Sequence, residues 1–345
     1  MARRTLWASL ALAPATIAVD LALHPGKVVL FVLAAASLVP LAWLIGESTE
    51  HAAEHTGAGI GGFLNASFGN APELIIALFA VGGNLPEVVR GSLSGSVISN
   101  LLLVFGVTQV VGPEKQLDRR SLLAQLGLVG AAVVLLAIPA TIGYTGGSER
   151  HTAVIASIPI SVVLLLLYLV VTGRNLRRHH NMERAAAAAD AWTLPAAVGV
   201  LMIATVTTAF VSEILVHSLN AFAKAVGATD FFVAAVIVAI VGNAAEHGGA
   251  IVIARAGKMK LASEIAISSS AQVALLVAPA VMLLSLFFTH ELPLSFRWEE
   301  LVGMGVAVAI VAGMVWDGRS RTWEGVLLLL AYAGVVAGFL FAGNR

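Results

Sequence analysis

The chain contains no cysteine. Disulfides, thiol chemistry and cysteine-ligated metals are therefore excluded, and the redox compartment is left open. Charge is also scarce: Asp, Glu, Lys and Arg make up 12% of the 345 residues, against about 25% in an ordinary soluble domain. So little charge cannot cover a water-exposed surface, which favours the membrane class. Twenty basic side chains balance twenty acidic ones, so there is no bulk field to draw in a nucleic acid. No HExxH pair is present, and the glutamates below lack a matching set of metal-binding histidines. An intramembrane metalloprotease is disfavoured on those grounds, and no enzymatic activity is expected.

What the chain has in abundance is apolar surface. Hydrophobic residues account for 59% and the mean hydropathy is +0.92. A bilayer takes about 20 residues of helix to cross. By that measure the sequence predicts an all-α membrane protein of about eleven transmembrane helices, near 5–23, 27–46, 58–81, 86–112, 120–143, 151–172, 192–216, 229–254, 260–288, 297–316 and 323–342. The first follows Arg3 and Arg4 like a signal peptide, but its apolar run continues past Pro14 to Leu23, long enough to be retained as a span. With the N-terminus inside, all of the 20 Lys and Arg except Lys27, Arg90, Arg150, Lys224, Arg297 and Arg345 fall on the cytoplasmic side. That is the bias the positive-inside rule requires.

One connection is clearly polar, residues 173–190, "GRNLRRHHNMERAAAAAD". It is expected to form a short cytoplasmic helix. It divides the chain into a first helix (1–25), a five-helix half (26–172), the linker, and a second five-helix half (191–345). The halves resemble each other. "GNAPE" at 69–73 aligns with "GNAAE" at 242–246, an offset of 173, and "GSVISNLLLVFG" at 95–106 aligns with "ISSSAQVALLVA" at 267–278, an offset of 172. Upstream, Thr49-Glu50 matches Ser212-Glu213. Each half has an odd number of helices, so the second enters the membrane from the opposite side. In transporters built as inverted repeats the ion site lies near the midplane, where broken helices meet.

The repeated motif carries a glutamate into an apolar run in each half, Glu73 and Glu246. A charge at that depth costs at least about 2.5–3.5 kcal/mol. Brought face to face, the two form a site of charge −2 that calls for a cation or protons. Asn70 and Asn243 lie three residues before their glutamates, and Gly69 and Gly242 allow the backbone to open there. The following helices add Ser92, Ser96, Ser99 and Asn100 in one half, and Ser268, Ser269 and Gln272 in the other. These are oxygen donors, which suit a hard ion such as Ca²⁺. Small polar residues in membrane helices also serve packing alone. Glu50 and Glu213 form a second acidic pair near helix ends, expected either in solvent or in a proton relay. His247 follows Glu246, and His51, His55 and His217 lie near the other acids. Histidine titrates near neutral pH, so each could gate by protonation or pack as a hydrogen-bonded side chain.

At "GNAPE", "GNAAEH" and "SGSVISNLLLVFG" the sequence resembles the calcium/proton exchanger family, within the cation/calcium exchanger superfamily. The resemblance covers nearly the whole chain and implies a lone first helix with two inverted five-helix repeats. It implies that Glu73 and Glu246 bind the ion, that Asn70, Asn243, Ser99, Asn100, Ser269 and Gln272 line its path, and that Ca²⁺ and H⁺ are exchanged with no cofactor. Family members often carry two adjacent acids where this chain has Glu50-His51. The short tails and linker look bacterial rather than vacuolar, which points to the plasma membrane. Monovalent cation/proton or sodium/calcium exchange is the alternative within the superfamily; a channel is the alternative outside it.

Overall fold

The computed structural model describes residues 2–143, 150–179 and 192–341. Among them the regular structure is helical, apart from one isolated bridge between Gln116 and Arg319. Among the described residues nine helices are long and apolar enough to cross a membrane, and ten if a pair bent by 58° counts as one span.

The first half begins with α1 (Ala2–Ser9) and α2 (Leu12–Leu23), which together make one span. Then α3 runs unbroken from Lys27 to Gly69. The sequence led us to expect two helices here, 27–46 and 58–81. The polar stretch between them ends the apolar run but not the helix, because its Glu, Ala and His residues are compatible with helical backbone. The apolar span itself ends at Thr56. At Asn70 the helix breaks, and α4 (Ala71–Gly82) is left as a 12-residue apolar segment. Next come α5 (Pro86–Ile98), a π-helical stretch (Ser99–Val104) and α6 (Phe105–Val111), which cross as one span. The half closes with α7 (Arg119–Gly143) and α8 (Arg150–His179). Positions 173–179 of the expected linker continue α8; 180–190 lie outside the described residues.

The second half repeats this plan. After α9 (Leu194–Ala225) a separate arm follows: α10 (Asp230–Val233), a π stretch (Ala234–Val238) and α11 (Ala239–Gly242). It breaks at Asn243 into α12 (Ala244–Arg255). Then come α13 (Met259–Gln272), a π stretch (Val273–Val277), α14 (Ala278–Ser285), α15 (Trp298–Val315) and α16 (Thr322–Phe341).

The element bounds give the repeat a firmer register than letters alone. Both ends of α4 and α12 match at an offset of 173. So do the starts of α5 and α13 and of α6 and α14. The offset of 172 expected around 95–106 is therefore corrected to 173: no residue is gained or lost, and Ser96 becomes the counterpart of Ser269. Even the turns correspond. After α4, Asn84 takes φ +53, and after α12, Gly257 takes φ +79. In both, the next amide reaches back to close the helix: Leu85 N to Ala80 O at 2.8 Å, Lys258 N to Ile253 O at 3.1 Å. This is the Schellman arrangement, with the left-handed residue at C′.

The halves are also inverted. Phe31, near the start of α3, stacks on Phe222, near the end of α9, with centroids 4.2 Å apart. At the other end His51 of α3 stacks on Trp192, just before α9, at 4.7 Å. Equivalent helices thus run antiparallel, as opposite entry into the membrane demands. Trp7, from the N-terminal end, joins this second end by packing on Trp43 and Trp192. Tryptophans gathered at one end of the spans fit a membrane–water interface.

Connections expected on one side do meet. At one end Glu87 is bracketed by Arg90 and Arg297. Arg90 Nη1 also donates to the Ser295 carbonyl at 3.0 Å, and Glu300 accepts from Ser94 at 2.7 Å and from the Arg297 amide at 2.7 Å. Arg90, Arg297 and Glu300 are buried, so this network clasps α5 to the start of α15. At the other end Lys115 Nζ donates to the Gly257 carbonyl at 2.9 Å, and the loop after α6 pairs with the loop before α16.

Candidate functional site

The two motif glutamates occupy equivalent positions at the crossing of the broken helices. Asn70 and Asn243 stand at the breaks with nearly identical backbone, φ −93°, ψ 11° and φ −96°, ψ 12°. Each glutamate therefore lies in the first turn of the helix that follows, rather than mid-helix as the apolar runs suggested. The positive end of the helix dipole is favourable to a carboxylate there.

The glycines of the two motifs face the opposite glutamates. A methyl group on Gly242 would lie 2.9 Å from Glu73 Cγ, and one on Gly69 would lie 3.7 Å from Glu246 Oε1. Each half thus presents its bare Gly-Asn backbone to the other half's carboxylate, and the pair meets across the inverted repeat. The exposure is unequal: Glu73 is buried, whereas Glu246 is half-buried.

Around the pair runs a network of neutral oxygen and nitrogen groups. Asn70 Nδ2 donates to Gln272 Oε1 at 2.6 Å. Asn243 Nδ2 donates to Ser96 Oγ and to the Ala239 carbonyl, both at 2.8 Å. Asn100 Nδ2 donates to Ser269 Oγ at 3.0 Å, and Ser269 in turn donates to Glu246. The Asn100 Oδ1 is 3.0 Å from His247 Nε2, which closes a chain from His247 through Asn100 and Ser269 to Glu246. Both Glu73 carboxyl oxygens are buried and accept no hydrogen bond of ordinary geometry; Ser96 and Asn243 lie beside them.

Two π-helical stretches serve this crossing. The first starts at Ser99 and holds Asn100; the second starts immediately after Gln272. A π turn is wider than an α turn and often marks a functional position. It is not legible in composition.

The structure brings together Glu73, Glu246, Asn70, Asn243, Asn100, Ser269, Gln272 and His247. Ser99 is buried nearby, but its hydroxyl bonds back to the Ser96 carbonyl of its own helix at 3.2 Å. Ser96, one of the serine stripe, takes the direct bond to Asn243 instead. The corrected register, which pairs it with Ser269, is the signal that singles it out.

Glu50 and Glu213 are not brought to the crossing; both are exposed. Their buried neighbours Thr49 and Ser212 are the groups that face inward. His217 Nδ1 lies 2.9 Å from the Glu213 carbonyl one turn back in its own helix. His51, Glu54 and His55 carry the spacing of an inverted zinc-protease motif. They do not converge on one point: His51 Nδ1 lies 3.5 Å from Glu54 Oε2 and its ring stacks on Trp192, while His55 Nε2 lies 2.6 Å from the Trp192 carbonyl. Among the described residues no three His, Asp or Glu side chains gather as a metal site. A cation at the crossing would rely on two carboxylates completed by amide, hydroxyl and carbonyl oxygens. That donor set suits Ca²⁺, which takes 6–8 oxygens, and offers nothing to a soft metal.

Comparison with known proteins agrees with this architecture. The chain matches the sodium/calcium exchanger protein family over residues 26–176 and 196–341. It is 38% identical over 329 residues to the Ca²⁺/H⁺ antiporter ChaA of Bacillus subtilis, covering 92% of this chain and 93% of that one. It is 35% identical over 346 residues to a Ca²⁺/H⁺ antiporter of Synechocystis, covering 92% of each. Among solved structures, native YfkE superposes with a TM-score of 0.83 at 35% identity, covering 96% of this chain and 98% of that one. The sodium–calcium exchanger NCX_Mj superposes with a TM-score of 0.56 at 19% identity over 90% of this chain and 98% of that one, a likeness of fold alone.

Proposed function

The chain belongs to the sodium/calcium exchanger family, and from that premise we propose that it exchanges Ca²⁺ for protons across a membrane by alternating access. The observation that carries this reading is the reciprocal seating of Glu73 against Gly242 and of Glu246 against Gly69. Two acids from inverted halves share one crossing, Glu73 buried and Glu246 half-buried.

The mechanism follows from charge. Empty and doubly ionised, the pair carries −2 through a medium of low dielectric, where like charges repel and hydration is lost. The barrier to switching is lowest when that charge is cancelled, by one Ca²⁺ in one direction and by about two protons in the other. Binding Ca²⁺ therefore expels protons, and exchange results from one constraint. Asn70, Asn243, Asn100 and Gln272 supply the amide oxygens, and Ser269 orients Glu246. His247 holds Asn100 in place. Glu50 and Glu213, away from the crossing, take part at most as outlying proton relays. Residues 26–172 and 191–345 act as the two repeats, with 1–25 as a separate first helix and 173–190 as a cytoplasmic linker. The protein resides in a bacterial plasma membrane with its N-terminus in the cytoplasm.

The test uses everted vesicles acidified inside. Adding Ca²⁺ is expected to dissipate the pH gradient, and ⁴⁵Ca uptake is expected only with the gradient imposed. Na⁺ or K⁺ replacing Ca²⁺ with equal effect would point to the other ions of the superfamily, and Ca²⁺ current without proton counterflow to a channel. Normal exchange by Glu73→Gln or Glu246→Gln would remove the pair from the mechanism.

A further inference from the structure

The turns that end α4 and α12 are equivalent in backbone but differ in what covers them. In the first half, the turn at Asn84, Leu85 and Pro86 is capped by His290, Glu291 and Leu292 from the segment between α14 and α15. About 10 Å³ of space is left. In the second half, the turn at Gly257, Lys258 and Met259 stands beside a cavity of about 520 Å³. The corresponding loop after α6 also reaches the second turn, with Lys115 on the Gly257 carbonyl, but leaves a wide groove beside it.

The open groove has a definite chemistry. Lys115, Lys258 and Lys260 line it, with Met259 and Leu261, and among the described residues no acidic side chain does. Lys115 Nζ spends one hydrogen on the Gly257 carbonyl at 2.9 Å; an ammonium has three to give. The first-half turn, by contrast, offers no cation, only Asn, Leu and Pro.

Its depth is equally definite. The cavity sits where the bent span ending at Arg255 gives way to the span beginning at Met259, and beside the loop that follows the span ending at Val111. Span ends mark the level of lipid headgroups. On the flanking helices Leu261 is 50% exposed and Val252 66% exposed, an apolar surface continuous with the membrane interior.

We propose that this groove binds the phosphate headgroup of an anionic phospholipid, held by Lys258, Lys260 and Lys115, with the start of an acyl chain against Leu261. Lysine binds phosphate as a point charge, and clustered cations beside a span are drawn to anionic lipid. The lipid fills the space left between the α12–α13 turn and the loop after α6, adding to the Lys115–Gly257 bond that already joins them.

The test measures thermal unfolding of the purified full-length protein in nanodiscs of phosphatidylcholine with and without phosphatidylglycerol. Wild type is expected to unfold several degrees higher with phosphatidylglycerol, and the gain is expected to shrink as salt is raised. Lys258→Gln/Lys260→Gln is expected to lose at least half of that gain, and Lys224→Gln, on α9 away from the groove, to keep it. Lys260→Gln alone, examined by native mass spectrometry for retained phosphatidylglycerol, gives the same answer should the double variant fold poorly. A full gain in the double variant, an equal gain from inorganic phosphate at matched concentration, or full lipid retention by Lys260→Gln would overturn the proposal.

Discussion

Gly242 meets Glu73 so closely that a single added carbon would sit 2.9 Å from the glutamate Cγ, with Cα and Cδ both at 3.9 Å. The close atom is Cγ, which carries the carboxylate, so relieving the contact moves the carboxylate from its seat. Gly242→Ala is therefore expected to weaken Ca²⁺-dependent exchange by at least about tenfold, equivalent to ~1.4 kcal/mol. Gly69→Ala, whose carbon would make an ordinary 3.7 Å contact with Glu246 Oε1, is expected to stay within about threefold of wild type by the same conversion. Uptake of ⁴⁵Ca under an imposed pH gradient measures both. Equal effects would show that the crossing is looser than its geometry.

The unequal burial of the two glutamates predicts unequal chemistry. Glu246 is half-buried and Glu73 buried, so a water-soluble carbodiimide is expected to modify Glu246 several times faster. Ca²⁺ is expected to protect it, since a carboxylate that holds a cation is not free to attack the reagent. Peptide mapping by mass spectrometry reads both sites in one sample. Faster modification of Glu73 would reverse the reading of which acid faces the open side.

Helix packing on the far side of the site gives a stability prediction. A methyl group on Gly95 would fall 2.0 Å from the Ala235 carbonyl oxygen, and backbone cannot rotate out of the way. Overpacking commonly costs about 1–3 kcal/mol, and this contact is expected at the top of that range. Gly95→Ala should lower the unfolding temperature in detergent well beyond Gly199→Ala, whose added carbon has no neighbour within 4 Å.

The clasp of Glu87, Arg90, Arg297 and Glu300 is a charge network buried in all but Glu87, which is half-buried, and such networks suffer most when one partner is removed. Arg297 is 4% exposed, pairs with Glu87 and lies 4.5 Å from the Phe231 ring centre. Arg297→Met leaves Glu87 with Arg90 alone and is expected to cost about 3–5 kcal/mol, seen as a large drop in unfolding temperature. Arg255→Met, exposed at the end of α12, is the comparison and is expected to be neutral.

The repeat, the paired glutamates and the membrane class were legible because each rests on composition or on letters recurring at a spacing. Membrane insertion is a bulk property, and a carboxylate inside an apolar run stands out wherever it falls. Less legible was anything set by backbone geometry. Asn70 and Asn243 break their helices, yet asparagine is only mildly unfavourable in one. The π stretch from Ser99 to Val104 has the composition of any apolar helix. Matching similar letters placed Ser96 opposite Ser268, whereas the helix starts place it opposite Ser269. Glu50 and Glu213 looked like a second acidic pair because acids are rare here, but rarity does not say which way a side chain points. The continuity of α3 through residues 47–56 escaped for a related reason: loss of apolarity marks the edge of a bilayer span, not the end of a helix.

A turn packed closely by His290–Leu292 in one half and a wide lysine-lined groove beside its counterpart in the other give the molecule a front and a back, despite helices that match in register. Turning the protein over in the bilayer does not regenerate the same object. A reconstituted preparation with random insertion therefore holds two distinct populations, and a rate measured on it averages over both.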